Sequence, residues 1–167
     1  VTAYGVYYKI QQFAFFAAFG MNNAMIPVIA FNYGSGDKER VRAGIRWGMI
    51  DTLVIMGVCL VVLEVCASQI VGIFALPQQT LTLCTRAVRT IALGYLFAGA
   101  NIAYQGVFQA LGRGVPSMVL CLVRQLLAAL PLAWLFTFLP DPEVWCWAAF
   151  PVAEGIGLLV ALVQRKR

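Results

Sequence analysis

The apolar residues of this chain form long runs that are separated by short polar segments. A bilayer core is crossed by roughly 20 helical residues, and runs of about that length cover residues 3–31, 44–66, 88–111, 117–139 and 144–163. No linker rich in Pro, Gly or Ser separates them into two domains. The pattern therefore predicts an all-α, polytopic transmembrane bundle of about five spans, with residues 1–167 in a single helical lobe.

The polar segments predict where the helices end. The first run ends in a turn-rich loop, Asn32–Arg42, in which Asp37 and Glu39 are expected to cap and charge the next helix. Residues 67–80 are apolar but broken by Gly72 and Pro77, and they are expected to form a short connecting segment. Pro131 is expected to bend the fourth span because it lacks a backbone N–H.

Composition supports a membrane protein and excludes a soluble domain. The chain is 62% hydrophobic and 11% charged, with a mean hydropathy of +0.84. Soluble domains are typically about 45–50% apolar and about 25% charged. A single core cannot hide so much apolar surface from water.

Basic residues collect on one side of the predicted five-span path. Only Arg86 and Arg89 lie on the opposite side, whose last loop is acidic. The positive-inside rule therefore predicts a cytoplasmic C-terminus, an outside N-terminus and further spans upstream. The basic residues of the cytoplasmic side are Lys38, Arg40, Arg42, Arg46, Arg113, Arg165, Lys166 and Arg167.

The sequence offers little catalytic chemistry. It contains no His, no phosphate-binding loop, no zinc-protease motif and no nucleophile elbow. We therefore expect neither an enzyme nor ATP-driven transport within this chain, and no catalytic residue, metal, cofactor or nucleic-acid partner.

Polar residues within the first span recur at helical spacing. Lys9, Gln12, Phe16, Phe19 and Asn23 form one stripe. The stripe is interpreted either as the wall of a cavity for a large amphipathic cation or as a helix-packing face with satisfied amides. Lys9 lies near the outer end of the span, where its amine can reach the interface.

The third span presents two faces. Asn101 and Gln105 share a face with Phe108, and this face lines a cavity or forms interhelical hydrogen bonds. The other face consists of small residues and predicts close helix packing; its members are Gly99, Ala103, Gly106 and Ala110.

Two charges lie within the last two spans, where an unpaired charge costs about 2.5–3.5 kcal/mol. Arg124 is expected to pair with another helix or to reach the interface. Glu154 is the deepest acid, and it relays a proton, binds a cation or pairs with a neighbouring donor.

The segment AMIPVIAFNYGSGDKERVRAG, Ala24–Gly44, resembles a helix end and loop of the multidrug and toxic compound extrusion (MATE) family. Tyr104–Met118, Val123–Phe136 and the PVAEG motif resemble later parts of that family in order and spacing. The loop positions that match the family pattern are Pro27, Ala30, Asn32, Tyr33, Gly34, Ser35 and Arg40.

The resemblance implies the C-terminal lobe, without its first helix, of a twelve-helix transporter in a bacterial inner membrane. Such a protein exports amphipathic cationic drugs in exchange for H⁺ or Na⁺ by rocking of its two lobes. The coupling ion is then expected in the missing N-terminal lobe, which is this lobe's partner, because Leu81–Arg113 contains no acid. Alternatives are a flippase for lipids or lipid-linked sugars in the same superfamily, and a non-catalytic membrane subunit.

Overall fold

Helices make up nearly all of the residues that a computed structural model describes, which are 2–74, 77–138 and 142–166. Within these ranges there is no strand, which confirms the all-α prediction. The helices in chain order are α1 (Thr2–Gly34), α2 (Lys38–Gly72), α3 (Gln78–Ala92), α4 (Tyr95–Ala110), α5 (Gly114–Leu122), a π-helix (Val123–Ala128), α6 (Ala129–Phe136) and α7 (Pro142–Lys166).

Three of the described helices are long and apolar enough to cross a membrane by themselves. The candidate spans are Tyr8–Gly34, Lys38–Gly72 and Trp147–Arg165, and α3 with α4 forms a fourth if the bent pair is counted as one. The remaining predicted span corresponds to the run α5, π-helix and α6, whose predicted end at residue 139 lies outside the described residues. The chain is therefore a polytopic helical membrane protein.

The observed helices do not coincide with the predicted spans throughout. The segment expected to begin at residue 67 is helical as far as Gly72, because Ala67 and Val71 are buried and continue the apolar face of α2. The third span is a pair of helices that meet at an angle of 49°. At the bend, a Cβ on Gly94 would lie 2.9 Å from the Cα of Pro151, so only glycine allows α7 to approach this closely.

Helix α4 lies at the centre of the bundle and contacts α1, α2, α5 and α7. It is buried along most of its length, and its small residues allow the neighbouring helices to approach. A Cβ on Gly99 would lie 2.8 Å from Cγ of Met56 on α2, and one on Gly106 would overlap the amide of Asn22 on α1. The predicted close-packing face is confirmed.

The loop between α1 and α2 is closed by local hydrogen bonds. Asp37 is the N-cap of α2 and accepts a bond of 3.0 Å from the backbone N–H of Arg40, which confirms the predicted cap. Asn32 donates from its side chain to the carbonyl of Val28 at 2.7 Å. The left-handed turn residue is Gly36, with φ of 77°, because a residue with a Cβ is strained there.

Candidate functional site

The polar and aromatic stripe of α1 lies on the side of the helix that points away from the lobe's own core. Lys9, Phe16, Phe19 and Asn23 are exposed, Gln12 is half-buried, and Phe16 is 64% exposed. At about 100° per residue, the stripe lies almost opposite the buried face. That buried face consists of Val6, Ile10, Ala14, Ala18, Asn22, Met25 and Ile29.

The amides of the stripe make no hydrogen bond within the described part of the chain. Neither the side chain of Gln12 nor that of Asn23 has a partner there. Packing against the described part of this chain therefore does not explain their presence on a membrane helix. Lys9 lies near the start of the helix, where its amine is 6.0 Å from the centre of the Phe74 ring.

Asn101, Arg124 and Glu154 form a polar cluster in the interior of the lobe. The Nε atom of Arg124 lies 3.4 Å from Oε1 of Glu154, and Nδ2 of Asn101 donates to Oε2 of the same carboxylate at 2.8 Å. The same Nδ2 also donates to the backbone carbonyl of Glu154 at 2.8 Å. Asn101 is fully buried and the Arg124 side chain is 5% exposed.

The contacts of the cluster bear on alternatives that the sequence left open. Asn101 lies on α4, apart from the exposed stripe of α1, and it forms an interhelical hydrogen bond with Glu154. The sequence had also allowed Asn101 to line a cavity. Arg124 pairs with another helix, and Glu154 pairs with neighbouring donors. Gln105, the other polar residue of the α4 face, is half-buried and makes no side-chain hydrogen bond within the described ranges.

A π-helix carries Arg124 into this position. The six residues Val123–Ala128 are π-helical and directly precede α6, whose third residue is Pro131. Proline has no N–H to donate to the carbonyl four residues earlier and its ring crowds that carbonyl, so regular α-helical bonding fails there. The bend expected at Pro131 therefore takes the form of a wider helical turn on its N-terminal side.

Small residues make room for the cluster. A Cβ on Gly157 would lie 2.9 Å from Nδ2 of Asn101 and 3.4 Å from Cγ of Arg124. Gly157 belongs to a buried stripe of small residues at four-residue spacing on α7. Its other members are Ala149, Ala153 and Ala161.

A cavity of about 20 Å³ is lined in part by Glu154. Such a volume holds about one water molecule. It lies between α1, the bend of the α3–α4 pair and α7, and its polar lining consists of Gln11, Tyr95 and Glu154. The Glu154 side chain is 16% exposed, whereas the side chain of its partner Arg124 is 5% exposed.

The arrangement is suited to holding helices together in a medium of low dielectric constant. One positive and one negative charge cancel, and Asn101 satisfies the second carboxylate oxygen, so α4, the π-helix and α7 are joined at one point. Breaking any one member leaves a buried charge or amide without its partner. The cluster therefore links three helical segments in the interior of the lobe.

The three predicted loop-motif residues have different roles. Asn32 forms the last-turn hydrogen bond described above, and the Nε atom of Arg40 lies 3.3 Å from Oδ2 of Asp37. A Cβ on Gly34 would meet open space, and the φ of this glycine is not positive. The loop thus serves as a helix connector that is closed by local hydrogen bonds.

Asn22 and Gly157 are site residues that the sequence reasoning missed. Asn22 is buried against Gly106, and its Oδ1 has no hydrogen-bond partner within the described residues. The four-residue spacing of small residues on α7 was the sequence signal for Gly157. Asn22 had no such signal, since Asn23 beside it completed the more regular stripe.

No metal centre is found among the residues that the structure describes. Their Cys, Asp and Glu residues form no group of three or more that is able to hold a metal ion. The carboxylate of Glu154 already has a guanidinium and an amide as partners.

Comparison with known proteins gives a consistent result. The family model described as MatE matches residues 1–135. The multidrug export protein MepA of Staphylococcus haemolyticus is 26% identical over 124 residues, which are 74% of this chain and 27% of that protein. MepA of Staphylococcus saprophyticus is 24% identical over 163 residues, which are 98% of this chain and 36% of that protein. The chain thus spans about a third or less of the length of these curated relatives.

Solved structures share the fold. An outward-facing multidrug resistance MATE family transporter of the MOP superfamily matches with a TM-score of 0.91 at 16% identity, over 98% of this chain and 37% of that one. An inward-facing structure of such a transporter matches with a TM-score of 0.84 at 19% identity, over 98% of this chain and 39% of that one.

Proposed function

Because this chain belongs to the MATE family, we propose that it forms the C-terminal lobe of a secondary active transporter, which exports drugs and other xenobiotics across the membrane. The substrates are amphipathic cationic small molecules, and their export is coupled to the entry of H⁺ or Na⁺. A second lobe, encoded upstream, completes the cavity. The protein is a transporter and not an enzyme, and it lies in a bacterial inner membrane with its C-terminus in the cytoplasm.

The observation that carries this proposal is the stripe of α1. Aromatic rings and amides face away from the lobe's core on a membrane helix, where exposure of an amide to lipid is costly. In a water-filled cavity shared with a second lobe, water hydrates the amides and removes this cost. The aromatic rings of the stripe then offer their π-faces to a bound cation. Gln12, Phe16 and Asn23 are the lining residues of this lobe.

The rigid core supports alternating access by movement of whole lobes. The Arg124–Glu154–Asn101 cluster joins helices within the lobe, so the lobe changes its orientation without repacking. The fold similarity to both an inward-facing and an outward-facing transporter agrees with this view. The coupling ion binds in the other lobe, because the deepest acid of this lobe is occupied by Arg124.

Transport by the full-length protein in proteoliposomes tests the proposal. Under an imposed H⁺ or Na⁺ gradient, a fluorescent lipophilic cation is expected to move against its own gradient. The double variant Gln12→Ala/Phe16→Ala is expected to raise the KM for the dye and to leave the folded fraction unchanged, because both side chains lie outside the core. The matched control is Phe97→Ala, an exposed phenylalanine outside the stripe.

Two outcomes contradict the proposal. If neither gradient moves the cation, the protein is not a coupled exporter of this class. If Phe97→Ala raises the KM as much as the double variant does, the stripe is not the substrate wall. Movement of a fluorescent lipid-linked sugar in place of the cation supports the flippase alternative.

A further inference from the structure

A cavity of about 530 Å³ lies at one end of the lobe, and four arginines line it. Arg42 and Arg46 belong to the first turns of α2, Arg113 follows the end of α4, and Arg165 lies in the last turn of α7. We call this cavity the basic pocket. It brings together arginines from three separate parts of the sequence, which confirms that these parts lie at the same end of the bundle.

Within the described ranges, the arginines of the basic pocket have no carboxylate partner. The ion pairs found there involve other basic residues, and two of the four guanidiniums contact neutral aromatic groups. Arg165 donates from Nη1 to the hydroxyl of Tyr104 at 3.3 Å, and Cζ of Arg113 lies 5.8 Å from the centre of the Phe108 ring. The described part of the chain therefore leaves the positive charges of the pocket without a neutralising carboxylate.

The remaining wall of the basic pocket is apolar. Ile45, Met49 and Ile50 line it from α2, and Val107 and Leu111 line it from the end of α4. These side chains continue from the arginines toward the membrane-spanning parts of the same helices. The pocket is thus amphipathic, with its charged part at the helix ends and its apolar part along the helices.

We propose that the basic pocket binds an anionic phospholipid, with the phosphate between the arginines and an acyl chain along the apolar wall. Guanidinium groups bind phosphate through paired N–H donors, and the ends of membrane helices lie at headgroup depth. A free phosphate ion has no use for the apolar wall, so the charge and the wall together select a lipid. This site is separate from the α1 stripe and does not depend on the transported substrate.

Native mass spectrometry of the purified full-length protein tests the proposal with phosphatidylglycerol, phosphatidylcholine and inorganic phosphate as probes. Phosphatidylglycerol is expected to bind the wild-type protein at least tenfold more tightly than phosphatidylcholine. Since each guanidinium near the surface contributes about fivefold to binding of an anionic lipid, Arg46→Gln/Arg165→Gln is expected to weaken phosphatidylglycerol binding by roughly 25-fold. Arg86→Gln/Arg89→Gln, which removes the same charge at the other end of the lobe, is expected to have little effect.

If a variant does not fold, the comparison of phosphatidylglycerol with phosphatidylcholine on the wild-type protein decides the outcome by itself. Equal binding of the two lipids overturns the proposal, as does equal loss of binding in both double variants. A second measurement compares the thermal stability of the protein with millimolar phosphate and with phosphatidylglycerol. If phosphate stabilises the protein as much as the lipid does, the lipid assignment is overturned in favour of a free-anion site.

Discussion

Removal of Arg124 is expected to be among the most damaging single changes in this lobe. The substitution Arg124→Ala leaves the Glu154 carboxylate within the membrane with only Asn101 as a partner, in a side chain that is 16% exposed. Breaking a buried ion pair by removing one member typically costs about 3–5 kcal/mol. We expect a loss of this order in the free energy of unfolding, and loss of export through loss of folded protein.

A second ion pair of the same lobe provides a matched control. Arg89 and Glu64 approach to 3.9 Å, but their side chains are 49% and 37% exposed. An exposed pair of this kind contributes about 0–1 kcal/mol. Arg89→Ala is therefore expected to change stability by less than about 1 kcal/mol.

A double-mutant cycle in the full-length protein measures the interaction directly. Unfolding is followed by SDS titration of the protein in mixed micelles for Arg124→Met, Glu154→Gln and the double variant, which replaces the pair with an apolar and a neutral side chain. The double variant is expected to be more stable than the sum of the single changes predicts, by about 2–3 kcal/mol. Single effects that add to within about 0.5 kcal/mol refute the argument that the pair acts as a unit.

Three further predictions concern packing and the connector. Gly106→Ala is expected to destabilise the protein by about 1–3 kcal/mol, because the new Cβ overlaps the Asn22 amide. Adding Asn22→Ala is expected to restore stability. If the second change does not restore it, this contact is not the cause. Gly36→Ala is expected to cost about 1–2 kcal/mol because of the positive φ, whereas Gly34→Ala is expected to be neutral in the same SDS titration. Asp37→Ala is expected to cost about 1 kcal/mol, measured likewise, through loss of the α2 cap; an unchanged midpoint excludes a role for the cap.

Local patterns predicted the features that depend on neighbours in the sequence. The Asn32–Arg42 loop was recognisable because turn residues follow a long apolar run, and Asp37 was recognisable as a cap for the same reason. The small residues of α4 predicted close packing, since in lipid helices associate through close contacts and not through burial from water. Which helices fill the space beside Gly99 and Gly106 was not encoded in that pattern.

The polar residues show where local patterns fail. Asn101 and Asn23 both belong to regular stripes, yet one bonds to Glu154 inside the lobe and the other faces outward. The difference depends on which neighbour each helix meets, and hydropathy is the same for both. Asn22, adjacent to Asn23, is buried only because α4 presents Gly106 to it.

By itself, the sequence determined that this protein is helical and lies in a membrane, where its main apolar runs lie, and which family it resembles. These properties follow from composition and from residues that are close together in the sequence. They do not depend on which helices contact each other. The tertiary structure alone decided that Arg124, Glu154 and Asn101 form one cluster, and that arginines from three distant segments surround one pocket. Such groups depend on the rotation and bending of each helix, which a bend at Gly94 and a π-turn before Pro131 set through contacts between segments far apart in the chain.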